Sequence, residues 1–407
     1  MILLNNTLRI TTVLLISIVT CNLQGQQEVE VLLKAKAYIQ SGKSREAISL
    51  LNQAIGEKES SRLYTERAEA SLAANDLSAA ISDYNQANRL DEYSGDYGLA
   101  KVYALKGDAS TSLYHLGMHL GSEYKKSEKE IMLEPAFGYI ENRPEWRQFW
   151  KKDRYSFTEK SVSEIEFLAA NNNIEESKAV LSELRRSYPD SDDVIYSEAI
   201  INIASGKYDE AVLMVLRLTE GKPVNEKYLR LLARAQTGQS NYAGASSAYT
   251  RLLESGIADA RIIMLRAGCY RKTGENDKAL RDIEKFLELY PEDKTAISMA
   301  GKVEAESGDN LKALEYFSKN LKLHPDDPDC YIDRAGSYFV SKSWDWAIKD
   351  YSMSLDLKPE NPDAWLNKGI ALLSSGKLND ACHDFKRSYS LGNQKASTYI
   401  GKHCLNK

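Results

Sequence analysis

Five histidines and five cysteines are the residues of this 407-residue chain best suited to metal or nucleophilic chemistry. His115 and His119 lie four apart, which on a helix puts both imidazoles on one face, as a pair of metal ligands requires. His115 is followed by Leu116 and Gly117, however, so the glutamate that a zinc-protease helix carries beside its first histidine is missing. Near the other end, Cys382 and His383 mirror His403 and Cys404, a set that could suggest zinc. Adjacent helical residues point about 100° apart, so the four cannot easily converge. No Cys-x-x-Cys, phosphate-binding glycine loop or nucleophile elbow is present, and no carboxylate pair stands out from so charged a surface. The sequence indicates no catalytic residue, no metal and no cofactor, and the expectation is a protein that is not an enzyme.

The balance of charges narrows the partners. Lys and Arg number 53 against 58 Asp and Glu, a net charge of −5, which lacks the cationic footprint of whole-domain nucleic-acid binding. At the N-terminus, Arg9 precedes an apolar stretch from Ile10 to Val19 and a short polar tail that ends at Gly25. This reads as a signal peptide, residues 1–25, because a spanning helix needs roughly 20 apolar residues. Cleavage after Gly25 is the first expectation. Cys21, preceded by Ile18, Val19 and Thr20, looks like a bacterial lipoprotein box and supplies the alternative, a lipid anchor as the sole tie to a membrane. Either form would be exported, to the periplasm or outer membrane, or secreted outright.

The elements that carry these residues emerge from the prolines. Pro189, Pro223, Pro291, Pro325 and Pro359 are spaced by 34, 68, 34 and 34 residues, and Pro328 and Pro362 by 34. In this frame small residues recur at position 8 (Ala199, Ala233, Ala267, Gly301, Ala335, Gly369) and at position 20 (Ser177, Ala211, Ala245, Ala279, Ala313, Ala347, Ala381). Gly206, Gly274, Gly308 and Gly376 fall at position 15, and Tyr249, Phe317, Tyr351 and Phe385 at position 24. The pattern describes two helices joined at the glycine, approaching closely at the small residues, with the aromatic filling the gap and proline ending the second helix. Arg67, Arg266, Arg334 and Lys368 at position 7 recur with Asp83, Asp282, Asp350 and Asp384 at position 23, which predicts an ion pair between the two helices of a repeat.

These residues resemble the tetratricopeptide repeat, most closely at Trp365, Gly369, Gly376, Ala381 and Phe385. The resemblance implies an all-α fold, a right-handed α-solenoid of about ten helix-turn-helix repeats. Seven contiguous units occupy 158–395, and an N-terminal array of three, the third degenerate, occupies 26–126. An aromatic-rich helical insert spans 127–157 and a capping helix 396–407. Cys382 then lies on the second helix of the last repeat and Cys404 on the cap that packs against it, so a disulfide is the preferred reading of that pair in an exported chain. The sequence around them is also similar to the ends of exported bacterial tetratricopeptide proteins.

What remains is a binding surface. The family's inner groove is lined by positions 2, 5, 9, 12 and 13 of the first helices. Here these are Lys227, Arg230, Arg234, Arg261, Met264, Arg271 and Lys272, followed by Ile332, Gly336, Phe339 and Val340, then Leu366, Ile370 and Leu373. Such an order suits an acidic extended segment that ends in apolar anchors. Ile332, Gly336, Leu366 and Ile370 stand where the family's carboxylate clamp for chaperone tails would need Lys and Asn. The expectation is a non-enzymatic scaffold or adaptor for protein or peptide binding in the bacterial cell envelope. The rival readings are a glycan-associated protein that stacks a sugar on Trp146 or Trp150, and a regulatory subunit of an envelope enzyme. Oligomeric state is open.

Overall fold

A computed structural model describes residues 25–221 and 223–404, so Cys21 and the signal segment up to residue 24 lie outside the described residues. Among those described the chain is all helix, with no strand, and it divides into two compact units at Ile262 and Ile263.

In the first unit, α1 (25–40) and α2 (Ser44–Glu57), α3 (Ser61–Ala73) and α4 (Leu77–Leu90), and α5 (Asp96–Leu105) and α6 (Ala109–Leu120) form three helical hairpins. Two short helices, α7 (Glu128–Met132) and α8 (Pro144–Trp150), follow, with a 3₁₀ turn (Pro135–Tyr139) between them. Three more hairpins are α9 (Phe157–Ala170) with α10 (Ile174–Ser187), α11 (Asp192–Ala204) with α12 (Tyr208–Thr219), and α13 (Glu226–Gly238) with α14 (Tyr242–Glu254). The unit boundary falls inside α15 (Ala260–Thr273), which pairs with α16 (Asn276–Leu289). The second unit continues with α17 (Lys294–Glu306) and α18 (Asn310–Leu323), α19 (Pro328–Val340) and α20 (Trp344–Leu357), and α21 (Pro362–Ser374) and α22 (Leu378–Ser390). A last helix, α23 (Ala396–His403), covers the end.

The turn inside each hairpin has one conformation. Gly42, Gly107, Gly206, Gly274, Gly308 and Gly376 are left-handed there, with φ from 72° to 89°. Where the glycine is missing, Asn75, Asn172, Ser240 and Lys342 take the same region, at φ from 57° to 62°. Asparagine tolerates this backbone; lysine has no such excuse and is held there by the helices on either side. The close approach of helices is equally literal. A Cβ at Gly369 would stand 2.6 Å from Phe385 Cε1, so the position-24 ring occupies the space that the position-8 side chain gives up.

All four position-7 and position-23 pairs form. Arg67, Arg266 and Arg334 each grip their aspartate with two hydrogen bonds of 2.6–2.8 Å, and Lys368 Nζ lies 3.2 Å from Asp384 Oδ2. The four aspartates are buried, and a fork of two parallel donors satisfies a buried carboxylate where one ammonium does not. Burial raises the Asp384 carboxyl above the usual carboxylate range despite Lys368 beside it.

The insert folds back onto the third hairpin. Phe137, Ile131, Ile140, Trp146 and Tyr155 join Leu113, Leu116 and Leu120 in one core, with Phe149 and Trp150 packed against it. His119 is buried in this region and its Nε2 accepts the Lys126 N–H at 3.1 Å, while His115 Nδ1 is 2.6 Å from Asp96. Burial, then Lys126, pulls the His119 imidazole down to about 4. The two imidazoles therefore serve packing, and no group of three or more metal-ligating side chains occurs among the described residues.

At the C-terminal end, Cys382 and Cys404 are joined, with Cα atoms 5.7 Å apart, which ties α23 to α22. His383 is exposed to solvent beside the Trp365 ring. No helix among the described residues is long and apolar enough to cross a membrane.

Candidate functional site

The first helices of the fourth to sixth hairpins bring groove positions together. Glu159, Val162 and Glu166 of α9, Asp193 of α11 and Lys227 of α13 line a cavity of about 900 Å³. Residues 125–129, where the insert begins, and Tyr155, near its end, form a further wall. A smaller cavity of about 240 Å³ shares Glu166 and Ala170 and is lined further by Tyr196, Ile200, Leu231 and Arg234. Ala169, Ala170 and Ala204 along these walls carry little bulk, and Phe167, on the wall of the larger cavity, is 57% exposed.

The charges are of both signs and largely matched. Lys125 pairs with Glu159 at 2.7 Å; Lys227 lies 3.7 Å from Glu166 and 3.9 Å above the Tyr196 ring. Tyr196 in turn donates to Glu166 at 2.9 Å, and burial, then that carboxylate, pushes its phenol above the ordinary range. Such a surface can hold an extended chain by its backbone and small side chains, with matched charges at the rim setting register.

The basic residues singled out in the sequence fare differently. Arg230 is engaged by Glu226 at 2.7 Å and Asp259 at 3.0 Å, and Arg261 by the same Asp259 at 2.9 Å. Burial alone would raise the Asp259 carboxyl; hydrogen bonds from Arg261 and Arg230 outweigh it and hold the group at about 2. In the second unit Arg271 grips Glu306 at 2.9 Å. The expected basic stretch is thus partly neutralised within the protein: each of these three cations has an internal carboxylate supplied by a neighbouring turn or repeat. Among the described residues, Arg234 and Lys272 are the two of the set with no ion pair within 4 Å.

The apolar set needs a similar correction. Leu366 is 6% exposed and packs in the core with Phe385 and Ala396, so it is not a contact for a partner. Ile332, Phe339 and Ile370 are half-buried against the cores of their own repeats. The sugar-stacking alternative also fails at Trp146, which is 8% exposed with its ring against Phe137 and Trp150. Phe137, Trp146, Phe149, Trp150 and Tyr155 of the insert pack into a core, while Tyr139 is 65% exposed.

Sequence reasoning missed the insert wall, because residues 125–129 and Tyr155 lie outside the repeat register. Charged residues in a non-repetitive segment carry no positional signal; the contact that makes them a wall, Tyr155 Oη donating to Lys126 O at 2.8 Å, spans 29 residues.

A stack of helical hairpins whose first helices build a groove defines an all-α repeat protein of the solenoid class. The 34-residue unit and its fold then point to the repeat: this chain carries tetratricopeptide repeats, whose family profile matches residues 32–97, 230–294 and 269–328. Tetratricopeptide repeats imply a scaffold for protein–protein interaction. No curated protein matches the chain. Among solved structures it is similar to a tetratricopeptide repeat protein from Parabacteroides merdae, at 19% identity over 60% of this chain and 98% of that one, with a TM-score of 0.49. It is also similar to a chain of the APC/C hetero-tetramer Cut9–Hcn1, at 14% identity, 92% and 83% coverage and a TM-score of 0.46. For MamA the figures are 20% identity, 41% and 97% coverage, and 0.37.

Proposed function

We propose that this protein is a non-enzymatic adaptor of the bacterial cell envelope that holds an extended segment of another protein in the groove across its fourth to sixth hairpins. The observation that carries this reading is that two neighbouring cavities, lined by the insert wall and three successive first helices, share Glu166 and Ala170. The sequence suggested an acidic segment ending in apolar anchors; the charges of both signs along this groove favour a segment of mixed charge. Export, with cleavage after Gly25 or a lipid anchor at Cys21, draws its support from the N-terminal sequence and from the Cys382–Cys404 disulfide, since such bonds persist in oxidising compartments.

Affinity capture from detergent-solubilised envelope tests the groove, using residues 26–407 beside a variant carrying Phe167→Glu and Ala170→Arg. A protein retained by the wild type, lost by the variant and cross-linked at Lys129 or Lys227 is the expected result. Equal retention by both, or none by either, overturns the groove. Intact mass of the native chain tests export: a chain that begins at Gln26, or at a lipid-modified Cys21, is expected, and one that retains Met1 to Gly25 removes the envelope from the proposal.

A further inference from the structure

The five-residue turn between α14 and α15 is held by side chains of the first two hairpins. Lys36 Nζ of α1 donates to Ala258 O at 3.0 Å, across 222 residues of sequence. Arg62 Nη2 of α3 donates to Gly256 O at 2.6 Å, across 194. A Cβ built on Gly256 would meet Val29 Cγ2 at 3.8 Å, and Ala258 is only 7% exposed. Carboxyl groups of the first two hairpins lie beside both cations, Glu66 at 3.9 Å from Lys36 and Glu28 at 3.5 Å from Arg62. From the other side Asp259 fixes the turn to Arg230 of α13.

Register gives these contacts their meaning. With Ala35 and Ala68 at position 8, Val29 and Lys36 stand at positions 2 and 9 of the first repeat, and Arg62 at position 2 of the second. These are the positions that line the open groove in repeats four to six. In the first two repeats they grip main-chain carbonyls, the one feature that any extended peptide offers. The gripped turn is also the break in the proline series: the 68-residue interval skips position 257, where Ile257 stands in place of proline beside Gly256, which is left-handed at φ 89°.

We propose that residues 255–259 are an intramolecular ligand of the groove of repeats one and two, a clasp that closes the first unit on itself and must open before another chain can use that end of the groove. The carbonyls of Gly256 and Ala258 follow the C-terminus of α14, where the helix dipole favours cations, so Lys36 and Arg62 bind a site already negative. The inference does not rest on the partner proposed above, and its test involves no partner.

Hydrogen exchange of the full mature chain, wild type against a Lys36→Met, Arg62→Met variant, reads the clasp directly. Methionine keeps the aliphatic stems and removes the donors. Exchange of the segment around residues 255–262 should rise by about tenfold or more, as loss of charge-assisted hydrogen bonds implies, while segments of α17 to α22 stay as they were. Unchanged exchange in that segment overturns the clasp. Should the variant loosen throughout, acylation of the wild type decides: Lys36 should react several-fold more slowly than exposed Lys34, and equal rates overturn the clasp.

Discussion

Asp350, 1% exposed, receives two hydrogen bonds from Arg334, at 2.7 Å from Nε and 2.8 Å from Nη2, across the two helices of one repeat. The pair converts a sequence separation of 16 into a fixed distance between α19 and α20. The aspartate's hydrogen bond is also the main reason that the Arg334 guanidinium is held above its ordinary range.

Breaking that pair from the buried side should be costly. Asp350→Ala leaves a half-buried guanidinium without its carboxylate, and a loss of about 2–4 kcal/mol is expected, at the lower end because Arg334 keeps some solvent. Repeat arrays need not unfold in one step, so the loss should be read as faster hydrogen exchange in α19 and α20. Protection there equal to the wild type would show that packing alone sets the hairpin.

Lys342 tests the left-handed turn. Its φ of 57° costs a non-glycine residue about 1–2 kcal/mol, whereas glycine pays mainly in the unfolded chain, about 0.5–1 kcal/mol. Lys342→Gly should therefore stabilise the ninth repeat by about 0.5–1 kcal/mol and raise Tm by about 1–3 °C in calorimetry. A lower Tm would mean that the lysine side chain has a role in the turn beyond its backbone.

Glu66 should make stability fall as pH rises. Burial lifts its carboxyl from 4.5 to about 7, against the pull of Lys36, Arg62 and Lys101 and with Glu69 adding to the rise. The folded state then binds a proton that the unfolded state has released between pH 4.5 and 7, so the stabilisation present below 4.5 is lost through that window, by at most about 3 kcal/mol. Glu66→Gln should flatten the dependence of Tm over that range and raise Tm at pH 8. If wild type and variant show parallel profiles, Glu66 titrates normally.

The cap depends on its disulfide. The bond closes a 22-residue separation, for which chain entropy implies about 3 kcal/mol. Cys404→Ser should release α23, seen as rapid exchange across residues 396–403, while α19 and α20 are unaffected. Protection of α23 that survives the substitution would assign its hold to Ala396, Tyr399 and Ile400 against Phe385 instead.

The helices, their turns and the pairs inside each repeat were legible in the sequence because a repeat is a local object. Its two helices are joined by three or so residues, so Gly369 and Phe385, or Arg334 and Asp350, meet whenever the hairpin forms. Repetition then shows the same contact several times over. The site was legible only as positions. That Arg230, Arg261 and Arg271 stand on groove faces could be read from the register, but the carboxylates that meet them come from other repeats and turns, and Leu366 differs from an exposed neighbour only by what α23 and α22 place over it. The insert wall and the clasp were decided by tertiary structure alone. Both depend on how the small rotation between successive hairpins accumulates, and that sum brings Lys36 to Ala258 across 222 residues without any pairwise signal between them.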